Sequence, residues 1–396
     1  MSSPNKKRKE TTKKPSLKQS PVVRPTPEST PNPSLPDDLV VSCLARVSRL
    51  YYPSLSLVSK SFRSLIASPE LYETRSSLGR TESCLYVCLR FPPDPKPRWF
   101  TLCRKPDQAL TNHTSKLKKK KKKKKSNGYV LAAIPNHQSP PTHWSGLVAV
   151  GSNMYNIGGA MYKVPLSSVS ILDCRSNTWR EAPSMLVERY APAANVIDGK
   201  IYVAGGCEEC KESNWMEVFD PKTQTWELVS GPGAEICGSR IHKSAGVDGM
   251  VFTFGNCNGL VYKTRDRRWE RVGWEMDMGW PWFSYSVVAN MLYYYYDVFK
   301  WYDTKVRVWR NVKGLEGLPK FAGYSCVKLA DYGGKMAVLW DKYLPSSGYK
   351  KKTICCAVVS LERRNSEEVW GKVEWLDAVL TVPGSYEFVS VLAATV

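Results

Sequence analysis

Residues 1–33 are rich in Pro, Ser, Thr and Lys and hold no run of large apolar side chains, a pattern that predicts a disordered tail. From residue 34 the pattern changes. In LPDDLVVSCLARV the apolar residues Leu39, Val40, Cys43, Leu44 and Val47 recur at three- and four-residue spacing, which predicts a helix. Pro36 suits its first turn, and Asp37 and Asp38 suit the positive end of its dipole. A second helix is expected after Tyr51-Tyr52-Pro53, with Leu55, Val58, Phe62, Leu65 and Ile66 as its apolar stripe. Ser68-Pro69 stops it and opens a third short helix through Leu71 and Tyr72. Three helices in so short a span make a very small core, so part of this apolar surface is expected to need a partner.

Beyond residue 83 the chain reads as short strands, turns and tryptophans. A turn followed by an apolar run recurs in GSNMYNIGG (151–159), DGKIYVAGG (198–206) and DGMVFTFGN (248–256), and more loosely in ANMLYYYYD (289–297) and GGKMAVLWD (333–341). Aligning Met154, Ile201, Val251, Leu292 and Met336 gives a period of roughly 41 to 50 residues. Four copies are followed by a strand and an anchoring tryptophan: Trp179, Trp226, Trp269 and Trp309. Two strands with a Gly-Gly between them, then a strand, a turn and a Trp strand, make a four-stranded sheet. One such sheet cannot bury both faces; several packed around an axis can, with Trp filling the space between neighbours.

The ends of this region complement each other. LYVCLRF (85–91) and RWFTLC (98–103) read as the middle and outer strands of a sheet that lacks its first strand, and EFVSVLAATV (387–396) is a strand without a sheet. Pairing them closes a ring and removes exposed edges. With five internal repeats this predicts about six sheets. Lys118–Lys125 lies between RWFTLC and GYVLAAIP, so a Lys-rich loop insertion is expected at about 106–127. Eight adjacent like charges repel and stay solvated.

The residues of LPDDLVVSCLARVSRLYYPSLSLVSKSFRSLIASPELYETR (35–75) resemble an F-box: an opening Leu-Pro, the first-helix leucines, a Leu-x-x-Val-Ser-Lys-x-Phe-Arg-x-Leu-Ile run and a Ser-Pro-x-Leu close. The Gly doublets with later tryptophans resemble the kelch repeat. The implied architecture is mainly β, a kelch-type β-propeller of about six blades (83–396) preceded by a small three-helix F-box (34–75) and a basic tail (1–33). The resemblance implies a substrate-recognition subunit of a Skp–cullin–F-box ubiquitin ligase. Its F-box would bind a Skp-type adaptor, and through it a cullin, and its propeller would bind a protein target. Leu35, Pro36, Leu39, Leu44, Leu55, Val58 and Phe62 carry over from the F-box pattern as core and adaptor-docking face. Propellers bind partners through loops at the ends of the channel. The loop RVGWEMDMGWPWFSY (271–285), with Trp274, Trp280 and Trp282 beside Met276 and Met278, is therefore the candidate target site.

Composition refines this picture. The net charge of +21 divides into +6 over residues 1–30, +10 over residues 104–125 and +5 over the remainder. The folded body is only mildly basic, and nucleic acid is expected to bind non-specifically, through the Lys-rich segments. Lys6-Lys7-Arg8-Lys9 fits a nuclear-import signal or a solvated tail; residence in nucleus or cytoplasm is expected. No stretch long and apolar enough for a membrane helix occurs, and no apolar leader stands at the N-terminus. The 12 cysteines are scattered, and the one CxxC, Cys207 to Cys210, has no second ligand pair at zinc spacing, so free thiols and no metal or other cofactor are expected. His113, His137, His143 and His242 form no catalytic motif. Two other readings remain open on sequence: a scaffold or polyanion-binding propeller without a ligase role, and a propeller oxidoreductase with dispersed Tyr and His ligands, resembling copper-radical oxidases.

Overall fold

The computed structural model describes residues 35–105, 128–135, 139–140, 145–161, 164–207, 214–232, 241–255, 259–273, 276 and 284–396. The basic tail with Lys6–Lys9, the Lys118–Lys125 run, Cys210, His113, His137, His143, Trp274, Trp280 and Trp282 lie outside the described residues. The chain divides into two compact units, residues up to Val40 and Val41–Val396.

Helix α1 spans Asp37–Ala45, with both aspartates in its first turn. The turn before it is closed by the Leu39 and Val40 amides donating to the Pro36 carbonyl. Sequence periodicity predicts one second helix; the structure has a short 3-10 turn at Arg49–Tyr51, a single turn α2 at Tyr52–Leu55 and a separate α3 at Lys60–Ile66. Ser59 causes the break. It is extended (φ −158°, ψ 168°), and its hydroxyl accepts the Phe62 amide, capping α3 afresh. Helix α4, Pro69–Ser77, starts at the expected proline with Ser68 as its cap and runs one turn beyond Tyr72.

The strands form six four-stranded blades, antiparallel within each, among the described residues; the outermost strands of blades five and six also pair in parallel, Val312 opposite Val369 and Lys313 opposite Trp370, joining those two blades into one eight-stranded sheet. Blade one pairs Glu387–Thr395, Ser83–Phe91, Asp94–Arg104 and Tyr129–Ala133, from axis to rim. Blade two comprises Gly146–Val150, Asn153–Ile157, Val169–Asp173 and Thr178–Ala182. Blade three comprises Ala193–Ile197, Lys200–Ala204, Met216–Asp220 and Thr225–Val229. Blade four comprises Ile241–Val247, Met250–Gly255, Leu260–Lys263 and Arg268–Arg271. Blade five comprises Tyr285–Val288, Met291–Tyr295, Phe299–Asp303 and Val308–Lys313. Blade six comprises Lys328–Tyr332, Lys335–Tyr343, Lys351–Arg363 and Val369–Pro383.

The ring closes as its ends predict. The C-terminal strand pairs with Ser83–Phe91 from Ser83 opposite Thr395 to Arg90 opposite Glu387, and supplies the innermost strand of blade one. Innermost strands touch in the cyclic order of blades one to six and back to one. Each of six buried apolar clusters draws on two neighbouring blades. Leu85, Val87 and Leu89 of blade one meet Leu339, Ile354 and Cys356 of blade six; Ile171 of blade two meets Ile201 and Phe219 of blade three. Burial between sheets thus holds the ring together, at about 25 cal/mol per Å² of apolar surface.

The tryptophans sit where the repeat places them. Trp226 and Trp269, on the outermost strands of blades three and four, donate their ring N–H to Pro183 O (2.8 Å) and Ser230 O (2.7 Å) of the preceding blade. The Gly pairs fall between the second and third strands, not between the first two. There the chain leaves the sheet and must turn. Gly158 and Gly206 have φ of +57° and +77°, and a Cβ on Gly206 would run into the Tyr190 carbonyl oxygen.

Candidate functional site

Two kinds of surface emerge from this arrangement. Alternating antiparallel strands put the turns joining strands one to two and three to four of every blade at one end of the ring. The strand two-to-three turns and the connections between blades lie at the other. The F-box residues of the larger unit attach at the first end. Arg49 Nη2 donates to Cys174 O at 3.0 Å, in a three-to-four turn of blade two. The Arg49 guanidinium also lies 5.2 Å from the centre of the Tyr72 ring. Tyr72 packs in one cluster with Tyr86, Cys88 and Trp99 of blade one and Leu172 of blade two.

Arg75 is the centre of the junction, and it is 1% exposed. It donates to Ala45 O (3.1 Å), Val47 O (2.7 Å), Tyr52 Oη (3.1 Å) and Arg80 O (2.6 Å), and pairs with Glu82 at 2.9 Å. Ala45 ends α1, so its carbonyl has no partner within the helix, and Arg75 supplies one. Glu82 also accepts from Ser48 Oγ (2.8 Å) and from the Arg49 amide, while its backbone exchanges two 2.9 Å hydrogen bonds with Val396, the end of the closing strand. A cleft of about 310 Å³ opens beside the junction, lined by Arg49, Tyr72, Cys84, Cys103 and Arg175 among others. Burial pushes the Cys103 thiol up to about 12, so it is protonated near neutrality.

The structure divides the seven F-box residues singled out from sequence. Leu44 is buried core, and its carbonyl accepts from Tyr52 Oη. Leu55 and Phe62 are half-buried. Leu35, Pro36, Leu39 and Val58 are exposed. Leu57, which the stripe omits, is 73% exposed and stands beside Val58 at 64%. Among the described residues, these two apolar side chains on the α2–α3 link stand exposed. Loss of the predicted continuous helix puts both on a loop, which is why helical spacing misses Leu57.

At the opposite end of the ring the connections carry exposed Leu186, Tyr190, Tyr296, Val298, Tyr324 and Tyr349. The candidate tryptophans Trp274, Trp280 and Trp282 lie outside the described residues. Met276, from the same cluster, is fully buried between blades four and five rather than on the rim. No group of three or more metal-ligating side chains occurs among the described residues, and the nine described cysteines are free thiols. No helix among the described residues is long and apolar enough to cross a membrane. Sequence reasoning missed Arg49, Arg75 and Glu82, whose spacing follows no period. It also missed the buried Arg189–Glu217 pair (2.9 Å), which ties blade three to the connection before it.

Comparison with known proteins bears on both surfaces. Residues 33–74 match a family model for the F-box domain, and residues 99–380 match a model described as the FKB95 Kelch-repeats domain. An F-box/kelch-repeat protein of Arabidopsis thaliana is 68% identical, over 100% of both chains. A second from the same plant is 58% identical over 100% of both, and a third 56% identical over 93% of this chain and 96% of its own.

Proposed function

Because the chain belongs to the F-box/kelch-repeat family, we propose that it is the substrate-recognition subunit of a Skp–cullin–F-box ubiquitin ligase. Its F-box docks on a Skp-type adaptor, and the propeller end remote from the F-box holds a protein target. The observation that carries this reading is the two-sided F-box. One side is fixed to the propeller through Arg49, Arg75 and Glu82, while Leu57 and Val58 are left bare for a partner.

The chain performs no bond chemistry in this scheme; it acts by position. Holding target and ubiquitin-charged enzyme on one scaffold raises the effective concentration of target lysines. That gain is larger when the link is stiff, because a short stiff link restricts wrong geometries. Residues 78–82 alone separate α4 from the first propeller strand, and Arg75 bridges them. The test is reconstitution with a target caught by proximity labelling. Ubiquitin transfer to that target should require adaptor, cullin and this chain together. Transfer by the chain without the cullin assembly contradicts the proposal.

A further inference from the structure

The cleft beside the Arg75 junction carries one charge that nothing in its walls answers. Those walls come from the 3-10 turn, α2, α3 and α4 on one side and from blades one and two on the other. Among the described residues, three ionised side chains line it: Arg49, Glu82 and Arg175. Glu82 pairs with Arg75 at 2.9 Å, and Arg175 pairs with Asp173 at 2.7 Å. Arg49 has no carboxylate partner among the described residues, since Glu82 accepts its backbone amide and not its guanidinium. Nη2 of Arg49 donates to Cys174 O, whereas Nη1 is buried and has no hydrogen-bond partner among the described residues. The Tyr52 and Tyr72 ring centres lie 6.0 Å and 5.2 Å from the guanidinium and offer π faces but no charge.

The weak acids around Arg49 do not supply the missing anion. Burial pushes the Cys84 thiol and the Tyr72 and Tyr86 hydroxyls above their ordinary values, so all three are neutral near pH 7. A guanidinium held out of water without a counter-charge is costly. The fold keeps this one beside open space of about 310 Å³, at the small end of ligand cavities. Leu50, Ile66, Leu102, Ile134 and Pro135 give the same cleft an apolar wall. An unanswered cation next to an apolar wall is the pairing that holds a molecule with an anionic head and an apolar body.

We propose that this cleft is a small-molecule site and that its ligand is a compact organic acid: a carboxylate on an apolar body of one or two rings. The carboxylate matches the planar fork of the Arg49 guanidinium and gives it the counter-charge that the walls lack. The body packs on the apolar wall. A neutral molecule of the same shape leaves Arg49 unanswered, and a cation is repelled by it. A ligand seated here touches the F-box helices and two blades at once, so occupancy stabilises the seam between them and raises the melting temperature. The site stands on the geometry of that seam and does not need the ligase reading.

The experiment is calorimetric titration of the full-length chain with benzoate, phenylacetate and 2-naphthoate, each beside its neutral primary amide, with acetate as a bare-anion control. The best acid should bind saturably, and at least about tenfold more tightly than its amide. Arg49→Gln should bring acid and amide to equal affinity. Ala132→Phe is the second variant: Ala132 lies opposite Thr101, and both line the cleft. It should abolish binding of the acid at a melting temperature no lower than the parent's, because the added ring fills the cleft without touching the guanidinium. If Arg49→Gln does not fold, the acid-to-amide ratio and Ala132→Phe decide the matter by themselves. No saturable binding of any acid at millimolar concentration overturns the proposal, as does equal affinity for acid and amide in the parent. Acetate binding as tightly as the ring acids overturns the apolar half of it. Acid binding that survives Ala132→Phe places the acid elsewhere, on the Lys-rich segments for instance, and overturns the site.

Discussion

The Arg75 guanidinium meets the Glu82 carboxylate at 2.9 Å, and the pair joins the last F-box helix to the first residues of the propeller. Arg75 is buried and Glu82 is partly exposed, so the two are unequal. Removing the arginine leaves the carbonyls of Ala45 and Val47 without a donor and a carboxylate without its cation. Arg75→Ala is expected to cost about 3 kcal/mol or more by denaturant titration. Arg75→Lys should recover little, because one ammonium cannot replace a planar fork serving five acceptors. A cost below about 0.5 kcal/mol would show that the junction is not held this way.

Gly206 offers a test of the blade geometry. Its φ of +77° and its approach to Tyr190 leave no room for a side chain. Gly206→Ala is expected to lose at least about 1–2 kcal/mol from backbone conformation alone, with steric displacement of the 183–192 connection adding to it. Gly199→Ala serves as the contrast. Its φ is also +77°, but a Cβ there meets nothing within 4 Å, so its loss should be the smaller of the two in thermal melts.

Thiol chemistry gives a pH-dependent prediction. Burial pushes both Cys103 and Cys174 up to about 12, whereas an ordinary thiol ionises near ~8.5. Above that ordinary value the unfolded chain has lost these protons and the native chain still holds them. Native protein then binds more protons, so stability falls as pH rises from about 8.5 toward 12. Exposed Cys43 should react with iodoacetamide in the native state, while Cys103 and Cys174 should be labelled only after denaturation. Peptide mass mapping distinguishes the two sets, and native labelling of Cys174 would contradict the packing described for it.

Sequence and structure agree where a physical period governs the chain. The spacing from Met154 to Met336, the later tryptophans and the orphan strand at residues 387–396 together predict a closed ring of about six blades, and the structure closes it through Ser83 opposite Thr395. Local chemistry is where the reading falters. Helical spacing runs Leu55, Val58 and Phe62 into one stripe, but the Ser59 hydroxyl competes for the Phe62 amide and splits the helix. Blade six has no single Trp anchor in register with the others. Instead Trp375 stacks on Tyr129 of blade one, 3.9 Å between ring centres, a pairing that only closure creates. Arg49, Arg75 and Glu82 depend on contacts between segments distant in sequence, which leave no periodic trace.

The adaptor-docking assignment rests on exposed side chains that the fold does not need. Leu57→Asp and Val58→Asp place charge on a solvated loop, so each should change stability by no more than about 0.5 kcal/mol. The most direct measurement of the central claim is a calorimetric titration of the full-length chain with a purified Skp-type adaptor. The account predicts saturable binding by the parent and its loss in the Leu57→Asp, Val58→Asp double variant at unchanged melting temperature; no binding by the parent at micromolar adaptor would contradict it.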